Sequence, residues 1–109
     1  MEINKELIKN VLAKETENLS DSFIFSIKDN YILFADEGEC QFEVNIYEFA
    51  FKCKEWANKQ NYDNNCFVSI LYENGTSKTI ITEDGFGLDG NTEIEAILKA
   101  CNWILEQQK

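Results

Sequence analysis

Carboxylates and thiols are the side chains of this sequence that could do chemistry. Its 109 residues include 20 Asp and Glu, four Cys and no His. Because His is the commonest general base near neutral pH, its absence excludes His-based triads, His metal ligands and His pH switches. A nucleophilic Cys would need such a base or an electropositive setting. The composition therefore predicts a protein that is not an enzyme and that holds no cofactor.

The four cysteines are predicted to be free thiols. No two of them form a C-x-x-C pair, so we expect no zinc site. Cys53 and Cys101 fall on apolar helical stripes and are predicted to be buried, whereas Cys40 and Cys66 fall at strand or loop edges. The charged start MEINKELIKN does not resemble a signal peptide, and no apolar run approaches the ~18 residues of a membrane span. We therefore expect a cytoplasmic protein, in a compartment that keeps thiols reduced.

Residues 85–90 read G-x-G-x-x-G between a predicted strand and a predicted helix. In dinucleotide-binding folds such glycines admit a pyrophosphate to the N-terminus of a helix. Here the preceding strand belongs to a predicted antiparallel hairpin, and the neighbouring carboxylates would repel phosphate. The segment also offers oxygen ligands to a cation, but the EF-hand spacing is not met. We predict a solvated acidic loop without nucleotide or metal.

Charge indicates the kind of partner. The formal net charge is −10, and all ten basic residues are Lys. Without Arg there is no planar fork for bidentate contacts to phosphate or guanine. The negative charge also repels nucleic acid and anionic membranes, so direct binding to either is not expected. A basic protein is the partner that this composition favours.

The acidic residues that could form a binding surface fall into two clusters. The first acidic cluster comprises Asp36, Glu37, Glu39 and Glu43, and the second comprises Glu83, Asp84, Asp89 and Glu93. If both lie on one side of the protein, they form a negative surface that can mimic a phosphate backbone. The alternative is two ordinary solvated loops. Trp56 and Trp103 stand off the apolar stripes of their helices and could anchor a protein interface.

Hydrophobic periodicity predicts one α+β domain over residues 1–109, with an antiparallel sheet covered by helices. The order is α-ββ(β)-α-ββ-α. Helices are predicted over residues 2–14, 46–59 and 93–107, and strands over 23–28, 31–35, 41–44, 66–73 and 76–83. Capping boxes at Asn45 and Thr92 begin the second and third helices. An Asn74-Gly75 turn predicts a register that pairs Val68 with Ile81 and Ile70 with Thr79.

Two helical segments carry a resemblance. KCKEWA at 52–57 and EAILKACNWIL at 95–105 resemble a group of small, uncharacterised phage and prophage proteins, and the likeness covers residues 45–107. It implies an origin on a mobile element and brings no catalytic residues. Small acidic phage proteins often inhibit host defence, as anti-CRISPR proteins do, and this step is an analogy.

Three functional hypotheses follow. The first is a non-enzymatic, nucleic-acid-mimicking inhibitor that binds a basic host protein, most naturally a nucleic-acid-handling defence enzyme, in the host cytoplasm. The second is a protein that sequesters a small ligand such as a nucleotide or a signalling molecule. The third is an accessory phage protein, for which a homodimer is left open.

Overall fold

The computed structural model describes residues 3–60 and 65–108. The elements follow in the order α1 (Lys5–Val11), α2 (Ala13–Thr16), β1 (Ile24–Lys28), β2 (Tyr31–Asp36), β3 (Glu39–Asn45), α3 (Ile46–Lys59), β4 (Asn65–Leu71), β5 (Ser77–Thr82), β6 (Gly87–Gly90) and α4 (Glu93–Gln107). No helix in these two ranges is long and apolar enough to span a membrane.

The α+β class predicted from the sequence is confirmed, with two differences: the described residues form two sheets instead of one, and they include a sixth strand. The strands form two antiparallel sheets of three strands, which we call sheet A (β1-β2-β3) and sheet B (β4-β5-β6). Strand β6 lies where the sequence predicted a loop, because its backbone pairs with β5 from Ser77–Gly90 to Ile80–Gly87. A backbone with two glycines can pair in this way without the apolar alternation that signals a strand.

Helices α3 and α4 have the bounds predicted from their local signals. The Asn45 side chain accepts hydrogen bonds from the amides of Tyr47 (2.9 Å) and Glu48 (3.3 Å). The Thr92 hydroxyl accepts one from the Glu95 amide at 3.1 Å. These side chains satisfy amides that have no partner inside the helix, so each helix begins where its cap stands.

The N-terminal helix differs from its predicted span of 2–14. It begins at Lys5 after the cap Asn4 and ends at Val11, because Leu12 leaves the helical region with φ −107° and ψ 42°. Leu12 is fully buried, and the Thr16 hydroxyl donates to its carbonyl at 2.8 Å. The segment therefore continues as the short helix α2, whose first two residues lie inside the predicted helix and whose last two lie beyond it.

The predicted register of the β4–β5 hairpin is wrong by one residue. Val68 pairs with Ile80 and Ile70 with Lys78. The loop has three residues instead of two, since Tyr72 donates to the Thr76 carbonyl at 2.9 Å and Gly75 alone has a positive φ in the turn. A slip of one residue reverses the side-chain faces of one strand relative to the other. Val68, Ile70 and Ile80 consequently share the outer face of sheet B.

One hydrophobic core joins the helices to both sheets. It includes Leu7 and Leu12, Ile32 and Phe34 of sheet A, and Ile81 of sheet B. Helices α3 and α4 pack against each other, and α4 covers β5 and β6. The fully buried side chains also include Phe23, Phe49, Ile97, Leu98 and Ile104.

Candidate interaction surfaces

The first acidic cluster lies on the β2–β3 hairpin. Asp36 turns back to Ser20, whose hydroxyl and amide donate to the carboxylate at 2.6 and 2.8 Å. These hydrogen bonds stabilise the charged form and hold the pKa of Asp36 below its ordinary value. Glu37, Glu39 and Glu43 are exposed, and no lysine of the described residues lies within 4.0 Å of their carboxylates. The cluster therefore presents three unopposed negative charges.

The second acidic cluster is spread over sheet B and the start of α4. Glu83 and Asp84 lie in the β5–β6 turn, where the Thr82 hydroxyl and the Phe86 amide donate to Asp84 and lower its pKa. Asp89 lies on β6, directly opposite Lys78 of β5. Glu93 forms an ion pair with Lys54 of α3 at 3.1 Å. Lysines therefore offset part of the negative charge of this cluster, and Asp84 stabilises a turn.

The two clusters occupy different sheets. Glu93 lines a cavity together with Asp29 and Asn30 of the β1–β2 turn. Asp36 stands at the other end of β2, which is five residue steps away, or about 17 Å along the strand. Glu93 and the β2–β3 turn thus lie at opposite ends of sheet A, so Glu93 does not extend the first cluster into one patch.

The two tryptophans lie against the core. Both side chains are half-buried and pack on the core cluster. The Trp103 ring meets the Phe86 ring with centroids 5.0 Å apart and a tilt of 51°. The Trp56 carbonyl accepts a hydrogen bond from the Gln60 side chain at the end of α3. This packing gives each ring a structural role. Their role as anchors of a protein interface stays a prediction.

Tyr47 and Phe51, which the sequence analysis did not assign to an interface, are more exposed than Trp56 and Trp103. Tyr47 and Phe51 of α3 have 61% and 62% of their surface accessible. They border a cavity of 290 Å³ between α3 and α4, whose floor includes Ala50 and Ile97. The signal was in the sequence: the two rings stand four residues apart, so they share a helix face that the buried stripe does not include.

A second cavity extends this cavity toward sheet A. It measures 270 Å³ and shares Tyr47, Glu93 and Ile94 with the first. We call the two together the α3–α4 groove. Apolar side chains such as Ala50, Ile94 and Ile97 line it together with polar groups, among them the Lys54–Glu93 ion pair. The groove can accept an apolar side chain, with charged groups beside it to bind a polar end.

The three glycines of residues 85–90 have structural roles. Gly85 has a φ of +93°, which its turn requires. A Cβ on Gly87 would lie 2.3 Å from the Thr79 carbonyl oxygen, and one on Gly90 would lie 2.5 Å from the Ala96 amide nitrogen. Close approach of the backbone to β5 and to α4 therefore accounts for the motif. The prediction of a solvated loop is wrong for its second half, which is β6.

The buried thiols lie together at the crossing of α3 and α4. The Cys101 thiol donates to the Cys53 carbonyl at 3.6 Å. The adjoining Cys101 side chain, together with burial, raises the pKa of Cys53 far above the ordinary thiol value. A neutral, buried thiol is a poor nucleophile. In residues 3–60 and 65–108, no group of three Cys, Asp or Glu is placed to hold a metal ion.

Comparison of the chain with protein-family models, with curated proteins and with solved structures found no match. The resemblance to small phage and prophage proteins therefore stays a prediction from the two helical segments. The functional argument depends on the surfaces described above.

Proposed function

We propose that this protein is a non-enzymatic interaction protein that binds a basic partner protein through its acidic surface. The observation that carries the proposal is the trio Glu37, Glu39 and Glu43 on the β2–β3 hairpin. These exposed carboxylates have no cation within ion-pair distance among the described residues. A complementary basic surface would gain both an increased encounter rate and a fixed orientation from them.

The distribution of the lysines supports the same proposal. Lys9, Lys52, Lys54 and Lys99 each form an ion pair within the chain. The Lys5 ammonium donates to the carbonyls of Asp21 and Phe23. Five lysines of the described residues are thus engaged internally and are not free to neutralise the exposed carboxylates of the β2–β3 hairpin.

The kind of partner follows from the chemistry of a negative surface. Carboxylates on a hairpin suit a protein that is itself built to bind nucleic acid, because such a protein has an unpaired basic channel. We therefore propose a host nucleic-acid-handling or defence enzyme as the target and the host cytoplasm as the location. The origin on a phage or mobile element rests on the resemblance alone.

A second candidate function is the sequestering of a small ligand. The α3–α4 groove favours it, since its 290 and 270 Å³ cavities share residues and combine apolar side chains with a few polar ones. Ligand sites are typically about 300–1,000 Å³ with a few polar groups among apolar ones. The nearby carboxylates disfavour a phosphate ligand, so this candidate fits an apolar or cationic molecule better than a nucleotide.

The test measures binding to a partner captured from host lysate and identified by mass spectrometry. The purified partner is compared with the wild-type chain and with the triple variant Glu37→Gln, Glu39→Gln and Glu43→Gln at several salt concentrations. We expect the association rate to fall with salt and to fall in the variant, while the dissociation rate changes little.

A matched control separates the hairpin from the net charge. The triple variant Glu17→Gln, Glu55→Gln and Glu73→Gln removes the same charge from exposed positions outside the hairpin. It should lower the association rate much less than the hairpin variant. An association rate that responds neither to salt nor to the hairpin variant would refute the acidic-surface proposal and favour a ligand in the groove.

A further inference from the structure

Strand β4 is an edge strand that carries no charge. It forms one edge of sheet B, whose order is β4-β5-β6. Its sequence, NCFVSIL over Asn65–Leu71, has no charged side chain in a chain in which 28% of the residues are charged. Proteins usually place Lys, Pro or inward-pointing charges on such an edge, since an unprotected one pairs with another strand.

The apolar side chains of β4 are accessible. Leu71 exposes 64% of its surface, Val68 48% and Ile70 39%. Val68 and Ile70 lie on the outer face of sheet B, where Val68 is paired with Ile80 of β5. This face therefore presents a small aliphatic surface that runs to the very edge of the sheet.

The backbone of β4 has unpaired groups on its open side. Tyr72 donates to the Thr76 carbonyl at 2.9 Å, which makes this a hydrogen-bonded pair of the antiparallel ladder. By alternation, Val68 and Ile70 direct their amides and carbonyls to β5, whereas those of Ser69 and Leu71 point away from it. The described residues supply no second strand beside β4, so these groups are available to another chain.

We propose that β4 pairs antiparallel with β4 of a second copy of this chain, about a two-fold axis at Ser69. The two sheets B then form one continuous sheet of six strands. In this register Ser69 faces the same residue of the other copy and Val68 faces Ile70, within the part of β4 that follows the irregularity between Asn65 and Val68. A two-fold interface must be complementary to itself, and this register pairs apolar residues with apolar residues at every outer position.

The neighbouring register, with the two-fold axis moved by one residue, pairs the side chains of the two strands less well. With the axis at Ile70, Leu71 would face Ser69 of the other copy, which places an apolar side chain opposite a hydroxyl twice in the interface. The alternation of free backbone groups excludes odd shifts, because those would bring groups already bonded to β5 to the interface. The sequence of β4 is thus complementary to itself in this register, which supports a second copy as its partner.

Salt should affect this interface in the opposite direction to the binding of a basic partner in the proposed function. Two copies with a net charge of −10 repel each other at long range, and β4 itself contributes no charged pair. Salt screens this repulsion, so dimerisation should become tighter as salt rises. Binding of a basic partner should become weaker. The two proposals are therefore independent, and each can fail without the other.

The first experiment is sedimentation of the full chain over a wide range of protein and salt concentrations. We expect a monomer–dimer equilibrium that shifts toward the dimer as salt increases. Leu71→Lys should weaken dimerisation at least about tenfold, because it places an ammonium on the pairing edge. Ile24→Lys is the matched control, since Ile24 is 68% exposed on β1, an edge strand of sheet A. Circular dichroism checks that both variants are folded.

The second experiment tests the register directly. In chains whose Cys40 and Cys66 are replaced by Ser, Val68→Cys and Ile70→Cys are prepared separately and then mixed under mild oxidation. Directly opposed residues of a non-hydrogen-bonded pair have Cα atoms about 4.5 Å apart, within the range of a disulfide. We expect covalent dimers in the mixture and far fewer in either variant alone.

Three outcomes would overturn the proposal. They are a monomer at every concentration and salt, a dimer that Leu71→Lys leaves intact, and crosslinking that is as efficient in the separate variants as in the mixture. A dimer lost in Ile24→Lys instead would assign the interface to sheet A. An edge that binds only an unrelated extended segment would appear as a monomer and counts against the second copy.

Discussion

The thiol of Cys101 donates a hydrogen bond to the main-chain carbonyl of Cys53 at 3.6 Å, where helices α3 and α4 cross. Both cysteines are fully buried, and they lie 48 residues apart in the chain. The contact joins α3, which follows sheet A in the chain, to the C-terminal helix α4.

This contact leads to a prediction about thiol reactivity. Because burial and the Cys101 side chain raise the pKa of Cys53, its reactive thiolate is scarce in the folded protein. We expect Cys40, which is exposed, to be alkylated first, and Cys53 and Cys101 to react only after unfolding. Mass spectrometry after timed alkylation measures this order. Denatured, non-reduced protein should give four free thiols, and two or none would contradict the prediction.

Asp36 should make the folded protein sensitive to acid. The hydrogen bonds from Ser20 lower the pKa of this carboxyl below its ordinary 3.8, so the charged form contributes stability that is present above that pH. This contribution is lost as the pH falls below 3.8 through the pKa of the folded state. Urea unfolding of Asp36→Asn between pH 7 and pH 2.5 should show a smaller loss of stability than the wild type. Glu37→Gln, without such hydrogen bonds, should follow the wild type.

Trp103 and Phe51 should respond differently to truncation. Trp103 packs on the core and on the Phe86 ring, so Trp103→Ala should destabilise the fold by about 2–4 kcal/mol. Phe51 is largely exposed, so Phe51→Ala should change stability by about 0.5 kcal/mol or less. Chemical denaturation measures both. If Trp103→Ala left stability unchanged and accelerated dissociation of a partner, the interface-anchor hypothesis would regain support.

Gly87 should not tolerate a side chain. A Cβ there would lie 2.3 Å from the Thr79 carbonyl oxygen, and this backbone atom cannot move without breaking the β5–β6 pairing. Gly87→Ala should therefore destabilise the fold by about 1–3 kcal/mol. Gly75→Asn is the comparison, since its Cβ meets no atom within 4 Å and its only cost is the strain of a φ of +88°, which Asn tolerates best among residues with a side chain. Equal stability of the two variants in thermal unfolding would show that the close approach is not required.

Local chemistry accounts for the parts of the fold that were predictable. Helices α3 and α4 begin at Asn45 and Thr92 because each cap bonds amides within three residues of itself. The Asp29-Asn30 turn joins β1 to β2 as the sequence indicates. Prediction was weaker for β6, whose glycines carry no apolar pattern. It was also weaker for the β4–β5 turn, where the Asn74 side chain accepts a hydrogen bond from the Thr76 amide and the loop has three residues instead of two.

The candidate site shows the same division. The acidic composition, the absence of His and Arg and the two acidic clusters are properties of the sequence itself. Whether a carboxylate is free depends on partners that are distant in the chain: Asp36 turns to Ser20, 16 residues away, and Glu93 pairs with Lys54, 39 residues away. The exposed pair Tyr47 and Phe51 became a candidate only when the α3–α4 groove beside it was visible.

The sequence by itself determined the α+β class, the two long helices with their caps, and a surface dominated by negative charge, because these depend on composition and on contacts a few residues long. The tertiary structure alone decided that the strands divide into two sheets and that β4 forms an open, uncharged edge. It also decided which carboxylates remain without a cation. Those features depend on pairing between distant segments, and a change of one residue in a single turn is enough to exchange the two faces of a strand.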